Sequence, residues 1–242
     1  MDTETRENAA LGPRLAWKPA RAPGRESLRG RYGELAPVDP GRHAHDLFEA
    51  SHGQGGDPAI WNYLGYGPFP DNAAFASWLA ERAQSSDPLF FTILDKATGR
   101  ALGMASYLRI VPADGVIEVG HIWYAPALQR TRLATEAIFL MARHAFEGLG
   151  NRRFEWKCNA LNAPSRRAAI RFGFTFEGLF RQHMIVKGRN RDTAWYAMID
   201  RDWPRIREAF EAWLDPANFD EAGRQKRPLA ARDAAGASPL SD

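Results

Sequence analysis

Apolar residues along this chain follow two different periods, and each period predicts one type of element. Where apolar residues alternate with polar ones or form short continuous runs, strands are expected. These segments are 32–38, 89–94, 101–111, 117–123, 153–158, 174–186 and 193–199. Where apolar residues recur every three or four positions, helices are expected. These segments are 41–51, 72–84, 130–149, 161–172 and 203–214.

Turn and capping residues mark the ends of several of these segments. Pro126 cannot donate a hydrogen bond to a neighbouring strand, so the strand before it ends there. Gly150 follows the long helix and is expected to cap it in a left-handed conformation. Asp39, and either Asp71 or Asn72, precede helices whose first N–H groups they are expected to cap.

The composition divides the chain into a central domain and two extensions. A length of 242 residues, with 45% hydrophobic residues and eight tryptophans, is enough for one core. Residues 1–30 are polar and rich in proline and arginine, which predicts a partly disordered extension pinned to the surface by Leu15 and Trp17. Residues 215–242 are charged and rich in small residues, which predicts a disordered tail. The domain is expected over 31–214.

Charge and cysteine content exclude several classes of protein. The net charge is +3 and the basic residues are scattered, so no nucleic-acid surface is expected. The single cysteine, Cys158, excludes an intrachain disulfide and a cysteine-based zinc site, and the six histidines show no metal-ligand spacing. No segment resembles a signal peptide or reaches the ~18 apolar residues of a membrane span. We therefore expect a reduced, cytoplasmic, bacterial protein without a bound metal.

The stretch 116–150 has the pattern of a strand, a sharp turn and a helix. The start of its helix holds Arg130, Thr131, Arg132 and Thr135, with no acidic residue before Glu136. Because the free N–H groups and the dipole of a helix N-terminus favour anions, this pattern indicates a phosphate-binding turn. The alternative is an ordinary surface turn before an amphipathic helix with a solvated basic face.

This stretch resembles motif A of the GNAT N-acetyltransferases, in which a strand leads into a Q/R-x-x-G-x-G/A loop. Gln129 and Ala134 match the first and last positions, whereas Arg132 replaces the central glycine. The letters ATEA that begin at Ala134 resemble the helix start of the RimJ/RimL-like branch. A second match follows one strand later, where residues 162–165 and 171–174 resemble the N-x-x-S and x-x-G-F segments of that branch.

The resemblance covers residues 31–214 and implies both a fold and a function. The implied fold is the α/β GNAT fold, with a central mixed, mostly antiparallel twisted sheet, flanking helices and splayed central strands. The implied function is acetyl transfer from acetyl-CoA to a primary amine, either a protein N-terminus or a small molecule. The implied partners are acetyl-CoA and that amine, with neither nucleic acid nor membrane, and a homodimer is left open. The remaining alternatives are a non-catalytic acyl-CoA-binding module and an unrelated α/β phosphate-binding protein.

The resemblance also assigns cofactor contacts. The pyrophosphate would be held by Gln129, Arg130, Thr131, Arg132, Leu133, Ala134 and Thr135. The pantetheine arm would lie along the backbone of Ile122, Trp123 and Tyr124, with further contacts from Asn162 and Ser165. The strand has one residue more between Gly120 and Pro126 than some members of that family, which indicates a β-bulge that redirects backbone donors. Since positive φ is unfavourable for arginine, Arg132 is expected to be helical with its side chain pointing outward.

Three side chains are candidates for the chemistry. Glu118 is the first candidate base, acting through water; its alternative is an exposed strand carboxylate paired with Arg109 or Arg153. His121 is the second, because an imidazole titrates near neutral pH; its alternative is a half-buried strand histidine. Ser165 is the candidate acid toward the thiolate or, alternatively, a helix-start hydroxyl bonded only to backbone. The tyrosine that many GNAT enzymes use as this acid is replaced by Ala169 here.

The acceptor pocket is expected between the aromatic loop 61–69 and the hairpin turn 187–191. The polar residues expected there are Arg181, Arg189, Arg191 and Asp192. An arginine cluster would favour an acidic acceptor, but the same residues could equally form a solvated turn. For Asn162 there are likewise two alternatives, a contact to CoA or the N-cap of the following helix.

Overall fold

The structure, a computed structural model, describes residues 14–231. Within them lie eight strands: β1 (Leu28–Arg29), β2 (Gly33–Pro37), β3 (Leu89–Asp95), β4 (Ala101–Val111), β5 (Val116–Tyr124), β6 (Arg153–Asn159), β7 (Thr175–Val186) and β8 (Arg189–Ile199). Five α-helices accompany them: α1 (Pro40–His52), α2 (Asn72–Gln84), α3 (Arg132–Arg143), α4 (Ala163–Arg171) and α5 (Trp203–Leu214). The five predicted helices are therefore confirmed, and α3 continues into a π-helical turn over His144–Gly148.

The strands form one open sheet in the order β1-β2-β3-β4-β5-β6-β8-β7. Neighbouring strands are antiparallel except for β5 and β6, which run parallel. This arrangement confirms the predicted mixed, mostly antiparallel sheet flanked by helices. No helix in the part of the chain that the structure describes is long and apolar enough to cross a membrane.

The sheet separates two hydrophobic cores because successive strand residues point to opposite faces. In β3, Phe90 belongs to the core that includes α1 and α2, and Phe91 to the core that includes α3 and α5. Trp61, from the connection between α1 and α2, is fully buried in the first core. Burying one such aromatic side chain contributes about 1.5–3 kcal/mol, so both layers stabilise the sheet between them.

The predicted bulge lies in β5 opposite β4. Met104 pairs with Trp123 and Ser106 with Gly120, so β5 has one residue more than β4 across this step. His121, within the bulge, has a φ of 50°. This left-handed conformation is uncommon for a residue other than glycine. The bulge predicted from the length of this segment is confirmed.

The central strands separate directly after the bulge begins. β5 and β6 pair only from Val116↔Arg153 to Val119↔Trp156, although β5 continues to Tyr124 and β6 to Asn159. The predicted splay of the central strands is thereby confirmed. Beyond Val119 the edge of β5 that faces β6 has no strand partner, so it borders an open cleft.

Helix α3 is tied to the turn between β1 and β2 by one buried carboxylate. Glu136 accepts hydrogen bonds from the backbone N–H groups of Arg31 (2.7 Å), Tyr32 (2.8 Å) and Gly33 (3.0 Å). Its own helix begins at Arg132, with Thr131 as the N-cap whose hydroxyl accepts from the Ala134 N–H. Glu136 and Thr131 together therefore hold the start of α3 in place, and with it the turn that precedes this helix.

The last hairpin has a tighter turn than predicted. β8 begins at Arg189, so only Lys187 and Gly188 connect it to β7. Both residues have positive φ, 49° for Lys187 and 71° for Gly188, as a two-residue type I′ turn requires. The expectation of a strand beginning at Thr193 is wrong, because the polar residues 189–192 continue the ladder where the hairpin projects from the core.

The N-terminal extension follows the surface of the domain. Trp17 donates a hydrogen bond from Nε1 to the Ala113 carbonyl at 3.0 Å, whereas Leu15 is exposed. Leu28 and Arg29 add the edge strand β1 to the sheet. Residues 1–13 of the predicted extension lie outside the described residues.

The C-terminal segment differs from the prediction of a disordered tail as far as residue 231. Asn218 is buried and bonds to the Trp213 carbonyl and to both the N–H and the carbonyl of Arg227. Phe219 packs edge-on against Trp213, and Ala231 is fully buried. The prediction is wrong here because these buried contacts join residues that a local composition argument treats as a tail. Residues 232–242 lie outside the described residues.

Candidate functional site

A cavity of about 340 Å³ lies at the splay between β5 and β6. Of the residues predicted to be catalytic or to contact the cofactor, five line it: Glu118, His121, Ile122, Asn162 and Ser165. Trp123 does not, because its side chain is buried in the core on the α1 and α2 face, 5.2 Å from the Trp61 ring. The assignment of Trp123 as a cofactor contact can therefore concern only its backbone. Among residues 14–231, no group of three acidic, histidine or cysteine side chains is arranged to hold a metal.

Glu118 belongs to a buried network of charges. Its Oε2 lies 2.8 Å from Lys157 Nζ and 3.1 Å from Arg109 Nε. Lys157 Nζ also lies 2.6 Å from Glu155 Oε2, and 3.7 Å from the centre of the Trp195 ring. Burial raises the pKa of the Glu118 carboxyl, and the Lys157 ammonium opposes that rise. The ion pair with Arg109, named in the alternative to a base, is thus present, whereas the one with Arg153 is not formed. The exposure that this alternative expected is wrong, because Glu118 is buried between the strands.

Lys157 is a site residue that the sequence analysis missed. Its side chain is only 4% exposed and it lines the cavity. The sequence feature that could have indicated it is a pair of charges, Glu155 and Lys157, two residues apart inside an otherwise apolar strand. Two charges on one face of a buried strand need partners there, and β5 supplies Glu118 because its neighbour in the ladder is Glu155.

His121 faces the cavity from the bulge. Its ring stacks on Tyr66, and Nδ1 lies 3.3 Å from the Tyr66 hydroxyl oxygen. Burial, together with the positive charges of Arg82 and Arg191, lowers the pKa of His121 to about 4. The imidazole is therefore neutral at neutral pH, where it can accept a hydrogen bond but attracts a proton weakly. It is the half-buried strand histidine given as the alternative, placed at the cavity wall.

Asn162 and Ser165 stand at the start of α4. Asn162 Oδ1 accepts from the Ser165 N–H at 3.1 Å, which is the capping role weighed against a CoA contact. Ser165 Oγ accepts a hydrogen bond from Trp156 Nε1 at 3.1 Å. The alternative in which this hydroxyl bonds only to backbone is therefore wrong, because Trp156 on β6 lies across from it. Ala169 is fully buried, so the position where relatives carry a tyrosine belongs to the core.

The turn before α3 offers backbone donors. The N–H groups of Arg130, Arg132 and Leu133 donate to no acceptor in the part of the chain that the structure describes. Gln129 holds the turn to β5 through a bond from Nε2 to the Tyr124 carbonyl at 3.0 Å. Tyr124 in turn donates from its hydroxyl to the Ala134 carbonyl at 3.2 Å. Free amides beside a helix N-terminus form a suitable site for a phosphate group.

The side chains of this turn have other roles. Arg132 is helical, as predicted, but its guanidinium lies over the rings of Tyr32 (4.9 Å) and Phe219 (4.8 Å). The prediction that it points outward is wrong, because the C-terminal segment folds back over it. The left-handed residue is Arg130, with a φ of 60°. Thr135 is buried and its hydroxyl accepts from Arg171, while Leu133 and Ala134 pack in the core. Of these three residues only Leu133 has an N–H group left for an anion, because Ala134 and Thr135 donate theirs to Thr131.

The aromatic loop and the last hairpin close over the cavity. Lys187 donates from Nζ to the carbonyls of Trp61 (2.8 Å) and Gly67 (2.6 Å). Tyr63 donates from its hydroxyl to the Leu161 carbonyl at 3.0 Å. The loop is thus held on both sides of the splay. Of the polar hairpin residues expected here, Arg191 lines the cavity. Arg181 and Arg189 are exposed, and Asp192 accepts from the Gln182 N–H.

Comparison with known proteins gives consistent matches. The family model of the acetyltransferase (GNAT) domain matches residues 34–175. A solved GCN5-related N-acetyltransferase from Brucella melitensis is 48% identical, with a TM-score of 0.86 over 88% of this chain and 96% of that chain. A solved GNAT-family acetyltransferase from Chromobacterium violaceum is 47% identical, with a TM-score of 0.74 over 79% and 96%. The ribosomal-protein-serine acetyltransferase of Escherichia coli is 30% identical over 98 residues, which are 40% of this chain and 54% of that protein.

The family model covers more than half of the chain, and the splayed sheet it spans is the architecture that the sequence motifs implied. The chain therefore belongs to the GNAT acetyltransferases, as an N-acetyltransferase of the RimJ/RimL-like branch.

Proposed function

We propose that this protein transfers the acetyl group of acetyl-CoA to a primary amine held in the cavity between β5 and β6. The observation that carries the proposal is the splay after Val119, which opens an unpaired strand edge onto a cavity lined by polar side chains. An extended pantetheine arm has the amide groups to pair with such an edge. The thioester would then end beside the bulge, where the amine can approach it.

The residues present fit the acetyl-CoA group. The free N–H groups of Arg130, Arg132 and Leu133 would hold the pyrophosphate, because they converge at the start of α3 without acceptors of their own. The edge of β5 from Gly120 to Tyr124 would hold the pantetheine arm. When bound, acetyl-CoA supplies the activated acetyl group. The protein contributes orientation, which can remove about 7–11 kcal/mol of the barrier.

Glu118 is proposed as the base that accepts the amine proton through water. Burial raises the pKa of its carboxyl, which makes it a better proton acceptor than an exposed glutamate, and the Lys157 ammonium opposes that rise. His121, with a pKa of about 4, is the weaker base and is proposed to accept a hydrogen bond that orients the amine. An α-amine, whose ordinary pKa is about 7.7–8.0, needs less help from a base than a lysine at about 10.4.

Ser165 is proposed to donate its hydroxyl proton toward the leaving thiolate. Its oxygen is held by the Trp156 indole N–H, which fixes the position of the hydroxyl at the cavity wall. A donor that is already oriented costs little reorganisation during the reaction.

Thiol release from acetyl-CoA, measured with a panel of amines, tests the proposed function. We expect release only when an amine is present, and mass spectrometry should find the acetylated amine. Calorimetry with acetyl-CoA alone provides the second measurement. Tight binding without thiol release for any α-amine or lysine acceptor would refute acetyl transfer while leaving cofactor binding intact.

A further inference from the structure

Arg191 is the cation of the cavity that forms no ion pair with any residue that the structure describes. It lies on β8, opposite Met184 in the ladder with β7, and its side chain is half-buried. Its Nε is buried without a hydrogen-bond partner. In the part of the chain that the structure describes, its guanidinium forms no ion pair and no hydrogen bond.

The other cations of the cavity are compensated. Lys157 contacts both Glu118 and Glu155, and Arg109 contacts Glu118. The lining therefore holds three cationic side chains, Arg109, Lys157 and Arg191, against one carboxylate, Glu118. The excess positive charge lies at Arg191, on the side of the cavity formed by the hairpin.

The positive charge of Arg191 affects titratable side chains that line the cavity. Its charge helps to lower the pKa of His121 and of His183, which line the cavity from β5 and β7. Burial lowers the pKa of Arg191 itself, and the charge of Glu118, which forms its ion pairs with Lys157 and Arg109 instead, opposes that fall. Keeping a guanidinium partly desolvated and unpaired costs free energy, which an anion bound beside it would recover.

The CoA phosphates are not that anion. The turn proposed to hold them, residues 129–135, contributes none of the cavity lining. The hairpin that carries Arg191 is held in place by the bonds from Lys187 to the carbonyls of Trp61 and Gly67. The guanidinium is therefore presented by a fixed element on the side of the cavity where the acceptor would enter.

We infer that the amine acceptor carries a carboxylate, which Arg191 binds through charge-assisted hydrogen bonds while the amine faces the bulge. This inference rests on the proposed acetyl transfer, since it names the class of acceptor for the same cavity. A guanidinium suits this ligand because its two parallel N–H groups match the two oxygens of a carboxylate. The carboxylate can belong to a small amino acid or to an acidic residue near a peptide N-terminus.

Two matched pairs of acceptors test the inference and separate these sources. One pair is β-alanine and β-alaninamide. The other is the C-terminally amidated peptides Ser-Asp-Ala-Ala and Ser-Asn-Ala-Ala. In the pair that resembles the natural acceptor, kcat/KM for the member with the carboxylate should exceed kcat/KM for the member with the amide by about 10- to 100-fold. This factor corresponds to the free energy of one hydrogen bond to a charged group. Preference in the first pair indicates a small amino acid, and preference in the second a peptide.

Variants assign that preference to Arg191. Arg191→Ala should remove it, so that acid and amide no longer differ in kcat/KM, and Arg191→Lys should keep part of it. Arg201→Ala removes the same charge from an exposed position just beyond the far end of β8 and should keep the full preference. Because replacing Arg191 breaks no ion pair and no side-chain hydrogen bond within residues 14–231, its variants should unfold at or above the wild-type temperature.

Equal rates for acid and amide in both pairs, or a preference that survives in Arg191→Ala, would overturn the inference. Calorimetry of the same pairs in the presence of CoA separates this result from a failure of acetyl transfer. If no acceptor is acetylated but the acid still binds more tightly through Arg191, the carboxylate site stands and the proposed transfer is refuted. Equal binding of acid and amide overturns the carboxylate site.

Discussion

Replacing Glu118 with glutamine separates a catalytic carboxylate from a structural one. Glu118→Gln keeps the shape of the side chain and removes its charge and its ability to take a proton. If Glu118 is the base, turnover should fall by about 100- to 10,000-fold. Affinity for acetyl-CoA should stay nearly unchanged, because the donors proposed for the cofactor lie on the turn before α3 and on the β5 backbone.

The structural cost of this change is limited by the second carboxylate of the network. Lys157 keeps Glu155 at 2.6 Å when Glu118 is replaced, so no buried ammonium is left without a partner. Arg109 is about half exposed, and losing an exposed ion pair costs about 0–1 kcal/mol. We expect a total loss of about 1–3 kcal/mol in the free energy of unfolding, the range for a hydrogen bond to a charged group.

Glu155→Gln is the matched control. Glu155 contacts Lys157 and Arg153, both at 2.6 Å, so its replacement disturbs the network at least as much. Glu155 does not line the cavity and cannot receive a proton from the acceptor. Its variant should therefore lose stability and keep most of its turnover.

The assay is a pH–rate profile of wild type and both variants on one acceptor. The deficit of Glu118→Gln should shrink as pH rises, because more of the amine is already neutral. That recovery should begin near pH 7.7–8.0 for an α-amine and much higher for a lysine. Equal deficits in the two variants would show that the network, not proton transfer, sets the rate. Wild-type turnover in Glu118→Gln would remove Glu118 from the mechanism.

Three further predictions concern the turn, the α3 anchor and the bulge. Arg130→Glu should weaken acetyl-CoA binding at least ~10-fold in calorimetry, because it places a like charge beside phosphate. The control Arg130→Gly should bind acetyl-CoA well, because glycine suits the φ of 60° at this position. Equal affinities of the two variants would refute the phosphate-binding turn. Glu136→Gln should cost about 2–4 kcal/mol in urea unfolding, because its amide group meets backbone donors, and an unchanged midpoint would contradict this. His121 has a pKa of about 4 in the folded protein against 6.5 in the unfolded chain, so its neutral form stabilises the fold and protonation in acid does not. As pH falls from 6.5 to 4, the free energy of unfolding of wild type should therefore drop by up to ~3 kcal/mol relative to His121→Asn, with no relative change above pH 6.5. If the stabilities of the two proteins followed pH in parallel, this pKa shift would be contradicted.

The elements of this fold could be predicted because their information is local. Apolar periodicity placed the helices and most strands, and the extra residue before Pro126 indicated the bulge. Arg132 could be predicted to be helical because that expectation depends on its own φ angle. In each case the cause lies within a few residues of the effect.

The contacts that build the site could not be predicted in this way. Lys157 meets Glu118 only because β5 and β6 pair in parallel at one particular register. Arg132 turns inward because Phe219, far along the chain, packs above it. Side-chain pairs of this kind depend on register and on tertiary packing, which composition and periodicity do not specify.

The bulge explains why fold and site depend on the same residues of β5. Ile117 and Val119 face the core that includes α3, and strict alternation would send Trp123 to the same face. Trp123 instead packs in the opposite core beside Trp61, while Ile122 packs against the α3 core, so the extra residue has reversed the alternation. The reversal begins where pairing with β6 ends, at Val119. One inserted residue therefore ends the β5–β6 ladder, directs His121 toward the cavity and keeps a tryptophan in the core, which is why this local irregularity is compatible with a stable sheet.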